Sequence, residues 1–156
     1  MSNLHISTPY PSQDISKMLN VLLSSSIHFY FIYKNYHWNL ISADFYQYHT
    51  LFDKHASEIF ETVDKIAERV RQIGEIAEGS LTEYISLSIL VGEFAQIGDL
   101  DQVLSHLADS HDKIITELET TIEYCSENKD FSTADLLTSF LESQQQMRWF
   151  IIASNS

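Results

Sequence analysis

The stretch from His37 to Glu68 carries the residues of this chain that are best suited to chemistry. His37 is followed by His49 twelve residues later and by Asp53 four residues after that, and Asp64 and Glu68 are again four residues apart. Imidazole and carboxylate groups together suit divalent iron, whereas purely thiolate sets favour zinc or iron–sulfur clusters. These five side chains therefore predict an iron-type site.

The spacing of the five residues predicts that the site is shared between two copies of the chain. In a helix, side chains four residues apart lie on one face, so His49 pairs with Asp53 and Asp64 with Glu68. The second pair points in nearly the same direction as the first but stands about 16 Å further along the axis. Metal–ligand bonds are only about 2 Å long, so one straight helix cannot bring both pairs to one metal. An antiparallel second copy, related by a two-fold axis near residues 58–59, would do so.

A tight helical hairpin would add His37 to the half-site of His49 and Asp53. Each residue alone has an ordinary alternative. A single histidine beside aromatic residues is usually a buried structural one, and Asp64 with Glu68 is typical of a solvated helix face whose carboxylates pair with nearby lysine and arginine. The shared face and the two-fold geometry together favour a metal site.

The sequence also resembles a known family in this region. His37-Trp38-Asn39, the step to His49 and Asp53, and the run Asp64-Lys-Ile-Ala-Glu68-Arg69 are similar to the ferroxidase signature of the Dps family (DNA-binding proteins from starved cells), the mini-ferritins. The resemblance extends over residues 12–153. It implies a four-helix ferritin-like subunit and a hollow homo-dodecamer built from two-fold dimers.

The resemblance also implies an activity and its residues. The protein would be a ferroxidase, an oxidoreductase that oxidises Fe(II) with hydrogen peroxide or dioxygen, stores ferric mineral in the shell and protects against oxidative damage. His37, His49 and Asp53 of one subunit, with Asp64 and Glu68 of its partner, would hold one or two iron ions.

Three further residues take roles from the same resemblance. Trp38 would lie close to the iron and take up stray oxidising equivalents, although a core aromatic anchor is an equally good reading of this residue. Asp130 and Asp135 would line three-fold pores as a ring of carboxylates that admits Fe(II). Support of a helix N-terminus is the alternative for Asp135.

The elements that must position these residues follow from periodicity and from the scarcity of helix breakers. With only four glycines and two prolines, the chain predicts an all-α fold, a ferritin-like four-helix bundle after a short polar tail at residues 1–11. The bundle domain is predicted over 12–153. Its expected elements are helices over 12–39, 44–74, 100–127 and 132–153, with a short extra helix over 82–90 in the long connection between the second and third.

Charge and composition limit the partners. The net charge of −13, with 22 acidic and 9 basic residues, argues against DNA binding, because that depends on lysine and arginine. The tail contains neither, and the first basic residue is Lys17. The single Cys125, the lack of a long apolar run and an N-terminus unlike a signal peptide predict a cytoplasmic protein.

Three alternatives stay open on the sequence. Larger ferritins and bacterioferritins use a Glu-x-x-His motif within one subunit, and no glutamate here has a histidine three residues later, which favours the mini-ferritin. A DNA-compacting shell with little ferroxidase activity is disfavoured by the absence of lysine and arginine from the tail and by the intact set of ligand-type residues. An assembly that binds zinc or another divalent metal without redox turnover uses the same ligand types.

Overall fold

Four long helices and one short helix form the described part of the chain, residues 8–92 and 94–154 of a computed structural model. The helices are α1 (Ser12–Asn39), α2 (Phe45–Gln72), α3 (Leu81–Leu87), α4 (Leu100–Glu127) and α5 (Phe131–Ala153). The predicted ferritin-like four-helix bundle is confirmed, with α3 as the short helix in the long connection.

The bundle consists of two helical hairpins. α1 packs along α2, α4 packs along α5, and α1 also contacts α4 and the short α3. The connection from α2 to α4 runs along α1, because it is hydrogen-bonded to Asn20 at Ile76, to Ser25 at Ile89 and to Tyr36 at Ala95. The core lies between the hairpins and includes fully buried residues from each long helix, such as Leu22, Ile59, Leu107 and Ile151.

Two residues with a left-handed backbone conformation follow the ends of α2 and α4. Gly74 (φ 91°) follows α2, and the amide of Glu75 donates to the Val70 carbonyl oxygen at 3.2 Å. Lys129 (φ 65°) follows α4, and the amide of Asp130 donates to the Cys125 carbonyl oxygen at 2.8 Å. Both ends satisfy otherwise unpaired helical carbonyls in a Schellman arrangement. The second turn places Asp130 at the start of α5.

A buried polar network ties α1, α2, α4 and α5 together. The Tyr33 hydroxyl donates to His111 Nε2 at 2.6 Å, and His111 Nδ1 donates to Gln144 Oε1 at 2.7 Å. The Nδ1–H of His55 completes the network by donating to the Tyr33 hydroxyl oxygen at 3.1 Å. Burial is the main reason that the pKa of His55 falls to about 4 and that of His111 to about 3. Both imidazoles are therefore neutral structural groups.

The predicted helix bounds differ from the structure chiefly at the caps. Helices over 12–39 and 100–127 are found as predicted, whereas α3 is shorter than 82–90 and α5 begins at Phe131. The predicted start of the last helix at residue 132 is one residue late, and Asp130 caps α5 by accepting a hydrogen bond from the Thr133 amide at 3.1 Å. Within the predicted tail, residues 1–7 lie outside the described residues. Among residues 8–92 and 94–154, none of the helices combines the length and the apolar character that a membrane span requires.

Candidate metal centre

The predicted imidazole pair forms where α1 ends and α2 begins. His37 and His49 stack with ring centroids 3.7 Å apart and an interplanar angle of 18°. Each ring donates through Nδ1 to the other residue's main-chain carbonyl, and both of these hydrogen bonds measure 2.8 Å. The short loop between the two helices allows this reciprocal arrangement, which holds both rings at one level.

These hydrogen bonds also decide the chemistry of the two rings. A carbonyl oxygen only accepts, so the proton of each neutral imidazole is on Nδ1 and the lone pair is on Nε2. A metal-binding histidine typically has its second nitrogen bound to such an acceptor, which fixes the tautomer and the ring direction. His37 is buried and His49 is half-buried. Both rings therefore present an Nε2 lone pair in a fixed direction, where it can bind a metal ion.

Asp53 lies beside this pair, one turn further along α2. Its Oδ1 is 3.9 Å from His37 Nε2 and 2.7 Å from the ammonium of Lys34. The hydrogen bond from Lys34 is the main cause that lowers the pKa of Asp53. The carboxylate is therefore ionised near neutral pH and available to a cation.

Lys34 is a residue of this site that the sequence analysis missed. It lies on α1 one turn before His37, and its ammonium also stands 5.7 Å from the centre of the Trp38 ring. Lysine is not a usual iron ligand, so a search for ligand types passes over it. The signal available was its position three residues before His37 and four before Trp38, which places it on the same helix face.

Trp38 is next to the imidazole pair in sequence but not enclosed by the subunit. Its side chain is 59% exposed in the single chain. The alternative role of a core anchor within one subunit is therefore not supported. The predicted role close to bound iron stays a prediction.

Asp64 and Glu68 lie on the same helix but away from the imidazole pair. Both are exposed on α2, and their helical positions put Asp64 about 16 Å along the axis from Asp53. Within residues 8–92 and 94–154 of one chain, no three histidine, cysteine, aspartate or glutamate side chains come together as a metal-binding group. One subunit thus stacks His37 on His49 and places Asp53 nearby, but these three residues do not form a complete metal-binding group. Asp64 and Glu68 lie further along α2.

Comparisons with known proteins agree with this fold. The family model for the ferritin-like domain matches residues 16–153. A DNA protection during starvation protein of Agrobacterium fabrum is 30% identical over 136 residues, which cover 87% of this chain and 84% of that protein. The structure of DpsC from Streptomyces coelicolor has a TM-score of 0.88 and 29% identity, covering 97% of this chain and 92% of that one. Dps from Thermosynechococcus elongatus gives 0.88 and 26%, covering 92% and 91%.

The chain belongs to the Dps family of ferritin-like proteins. As a Dps-family subunit it shares the four-helix architecture of these relatives across nearly its whole length.

The two predicted pore residues of this Dps subunit have different environments. Asp130 is 1% exposed, and its carboxylate accepts hydrogen bonds from the Thr133 amide and hydroxyl and from Arg69 Nη2, the last at 2.7 Å. Its oxygens are engaged inside the subunit, so it caps α5 and holds α2 against the α4–α5 junction. Asp135 is exposed on the first turns of α5. The pore prediction is therefore kept for Asp135 alone.

Proposed function

We propose that this Dps-family protein oxidises Fe(II) at pockets completed between two-fold related subunits and stores the ferric product inside a dodecameric shell. His37, His49 and Asp53 of one subunit would bind the iron together with Asp64 and Glu68 of its partner. The observation that carries the proposal is the reciprocal imidazole pair, which uses Nδ1 of both rings and leaves each Nε2 lone pair for a metal, with His37 Nε2 3.9 Å from Asp53 Oδ1.

The surface around the midpoint of α2 supports a two-fold neighbour. Phe31 and Phe60 are each about half exposed, and Leu81 and Ile85 are more exposed still. Part of this apolar surface is a groove of about 320 Å³ between α1 and α3. Apolar surface of this kind, on the face where the two-fold axis was predicted, is typical of an interface between subunits.

The proposed reaction transfers two electrons from two Fe(II) ions to one molecule of hydrogen peroxide. The O–O bond breaks, two protons are taken up, and the products are two Fe(III) ions and two water molecules. The protein contributes orientation and charge: neutral imidazoles bind the ion, and the carboxylates stabilise the higher positive charge of the ferric product. Removing Fe(II) and peroxide together prevents their uncontrolled reaction and so would protect the cell from oxidative damage.

The test is rapid-mixing oxidation of Fe(II) by peroxide, followed by ferric absorbance, in the full-length assembled protein. His37→Ala and Asp64→Ala should each slow the fast phase by more than about 100-fold, since even residues behind the ligands of a metal site typically matter 10- to 100-fold. Asp109→Ala, an exposed carboxylate on α4, is the matched control and should leave the rate unchanged.

Two results would contradict the proposal. Fast oxidation retained by the Asp64→Ala variant would remove the remote carboxylates from the site. Tight binding of Fe(II) in the absence of oxygen, with no oxidation after peroxide or oxygen is added, would favour the alternative assembly, which binds divalent metal but does not oxidise it. DNA compaction is not supported by any basic surface segment in the described residues, where acidic residues predominate.

A further inference from the structure

The ammonium of Lys34 is built into the proposed pocket. Its side chain is only 15% exposed, and it reaches from α1 to Asp53 on α2 at 2.7 Å. Other lysine pairs of this subunit are different in kind. Lys17 and Asp14, for example, are neighbours on one helix, and both are largely exposed. The pair of Lys34 with Asp53 is an ion pair between two helices that holds a predicted iron ligand in place before any iron arrives.

The charges of the complete pocket show what this ammonium does. Asp53, with Asp64 and Glu68 from the partner, supplies three negative charges, and an imidazole that binds a metal is a neutral ligand. Lys34 reduces the total to minus two, so one divalent ion leaves the pocket neutral and two leave it at plus two. Without Lys34, the pocket with two divalent ions would carry only plus one. Charges a few ångströms apart in a partly enclosed pocket interact strongly, so this difference affects metal occupancy.

We propose that Lys34 is a resident cation of the iron pocket that limits the pocket to one tightly bound divalent ion and makes binding of the second conditional on its release from Asp53. The inference rests on the proposed function and deepens it, since it concerns how many ions the same pocket takes. Lys34 does not ligate the metal and acts through the carboxylate of Asp53.

The structure also contains a place for the displaced ammonium. The Trp38 ring centre is 5.7 Å from Lys34 Nζ, within the range of a cation–π contact. A lysine side chain has four rotatable bonds, so the ammonium can leave Asp53 and remain over this ring without crossing the subunit. The second ion thus competes with Lys34 only for the carboxylate of Asp53.

The proposal is tested by anaerobic titration with Co(II), a divalent probe that needs no oxidation to be detected. Calorimetry and the visible absorption of bound Co(II) report the number and affinity of the ions per chain in the full-length assembly. Lys34→Met removes the charge and keeps the length of the side chain. Lys34→Arg keeps the charge. Lys54→Met is the matched control, because Lys54 follows Asp53 on α2 but lies 3.8 Å from Glu58.

The wild-type protein and the Lys34→Arg and Lys54→Met variants are expected to bind one tight Co(II) ion and a second, weaker one per chain. Lys34→Met is expected to bind the second ion more tightly, because no ammonium repels it or occupies Asp53. The expected change is about 10- to 100-fold, the size by which residues just behind metal ligands typically alter affinity. A second ion of unchanged affinity in Lys34→Met would overturn the inference, as would an Arg variant that behaves like the Met variant. Absence of the first tight ion in the wild type would overturn the proposed function and this inference together, whereas a normal first ion with no Lys34 effect overturns the inference alone.

Discussion

Two inactive variants of the chain are expected to restore Fe(II) oxidation when they are combined in one assembly, because each chain contributes two different half-pockets. One variant, His37→Ala, has a damaged imidazole half and an intact carboxylate half. The other, Asp64→Ala, has the opposite defect. The two halves lie about 16 Å apart along α2, so neither chain can complete a pocket by itself. Each variant expressed alone should therefore lack fast oxidation of Fe(II).

Co-expression of the two variants in equal amounts allows the recovery to be calculated. With random pairing, about half of the two-fold dimers are mixed, and a mixed dimer contains one intact pocket and one pocket with both defects. About a quarter of the wild-type number of pockets is therefore restored. A matched pair with defects in the same half, His37→Ala with Asp53→Ala, should restore none, because each possible pocket then has a damaged imidazole half.

The assay is the amplitude of the fast ferric absorbance change after mixing with peroxide, measured on shells purified through a tag carried by only one of the two chains. Native mass spectrometry confirms that the shells contain both chains. An amplitude near a quarter of wild type for the first pair and near zero for the second is the expected result. No recovery in shells that are demonstrably mixed would refute the reasoning, since it would mean that each pocket is built from a single chain.

Four further outcomes follow from the buried groups and the charge of this subunit. Tyr33→Phe should lower the free energy of unfolding by about 2–5 kcal/mol in urea titrations, because it leaves His111 Nε2 and the His55 N–H without a partner in the core; an unchanged midpoint would contradict the network. Burial lowers the pKa of His111 to about 3 and of His55 to about 4, from 6.5, so the unfolded chain takes up protons first as the pH falls. The stabilisation by each neutral ring is therefore complete above pH 6.5 and declines below it by about 1.4 kcal/mol per pH unit until the folded pKa is reached, as urea midpoints at several pH values would show. Asp130→Ala should lower the free energy of unfolding by about 3 kcal/mol, since it removes a helix cap and leaves the partly buried Arg69 without its carboxylate partner. Asp135→Asn should instead slow iron entry at unchanged thermal stability, and equal stability of the two variants would rule out this division of roles. The acidic chain should not retard plasmid DNA in a gel shift at low salt and neutral pH, and tight condensation would refute that expectation.

Much of this protein was determined by features that are local in the sequence. Helical periodicity and the few breakers predicted α1 over 12–39 and α4 over 100–127, and Gly74 marked the end of α2, because these depend on neighbouring residues and on backbone conformation. The half-site argument is local in the same sense. It needs only the rise and the turn of one helix, which are the same in every fold.

Contacts between helices were decided only by the tertiary structure. The pairing of Lys34 with Asp53 and the reciprocal bonds of the two stacked imidazoles depend on how α1 and α2 are rotated against each other. Asp130 is buried because Arg69 reaches it from 61 residues away along the chain. Apolar periodicity defines which face of a helix is buried. It does not fix the rotation of the neighbouring helix, or its position along the axis to better than about one turn. The sequence therefore predicts which residues can act, and packing decides which of them meet.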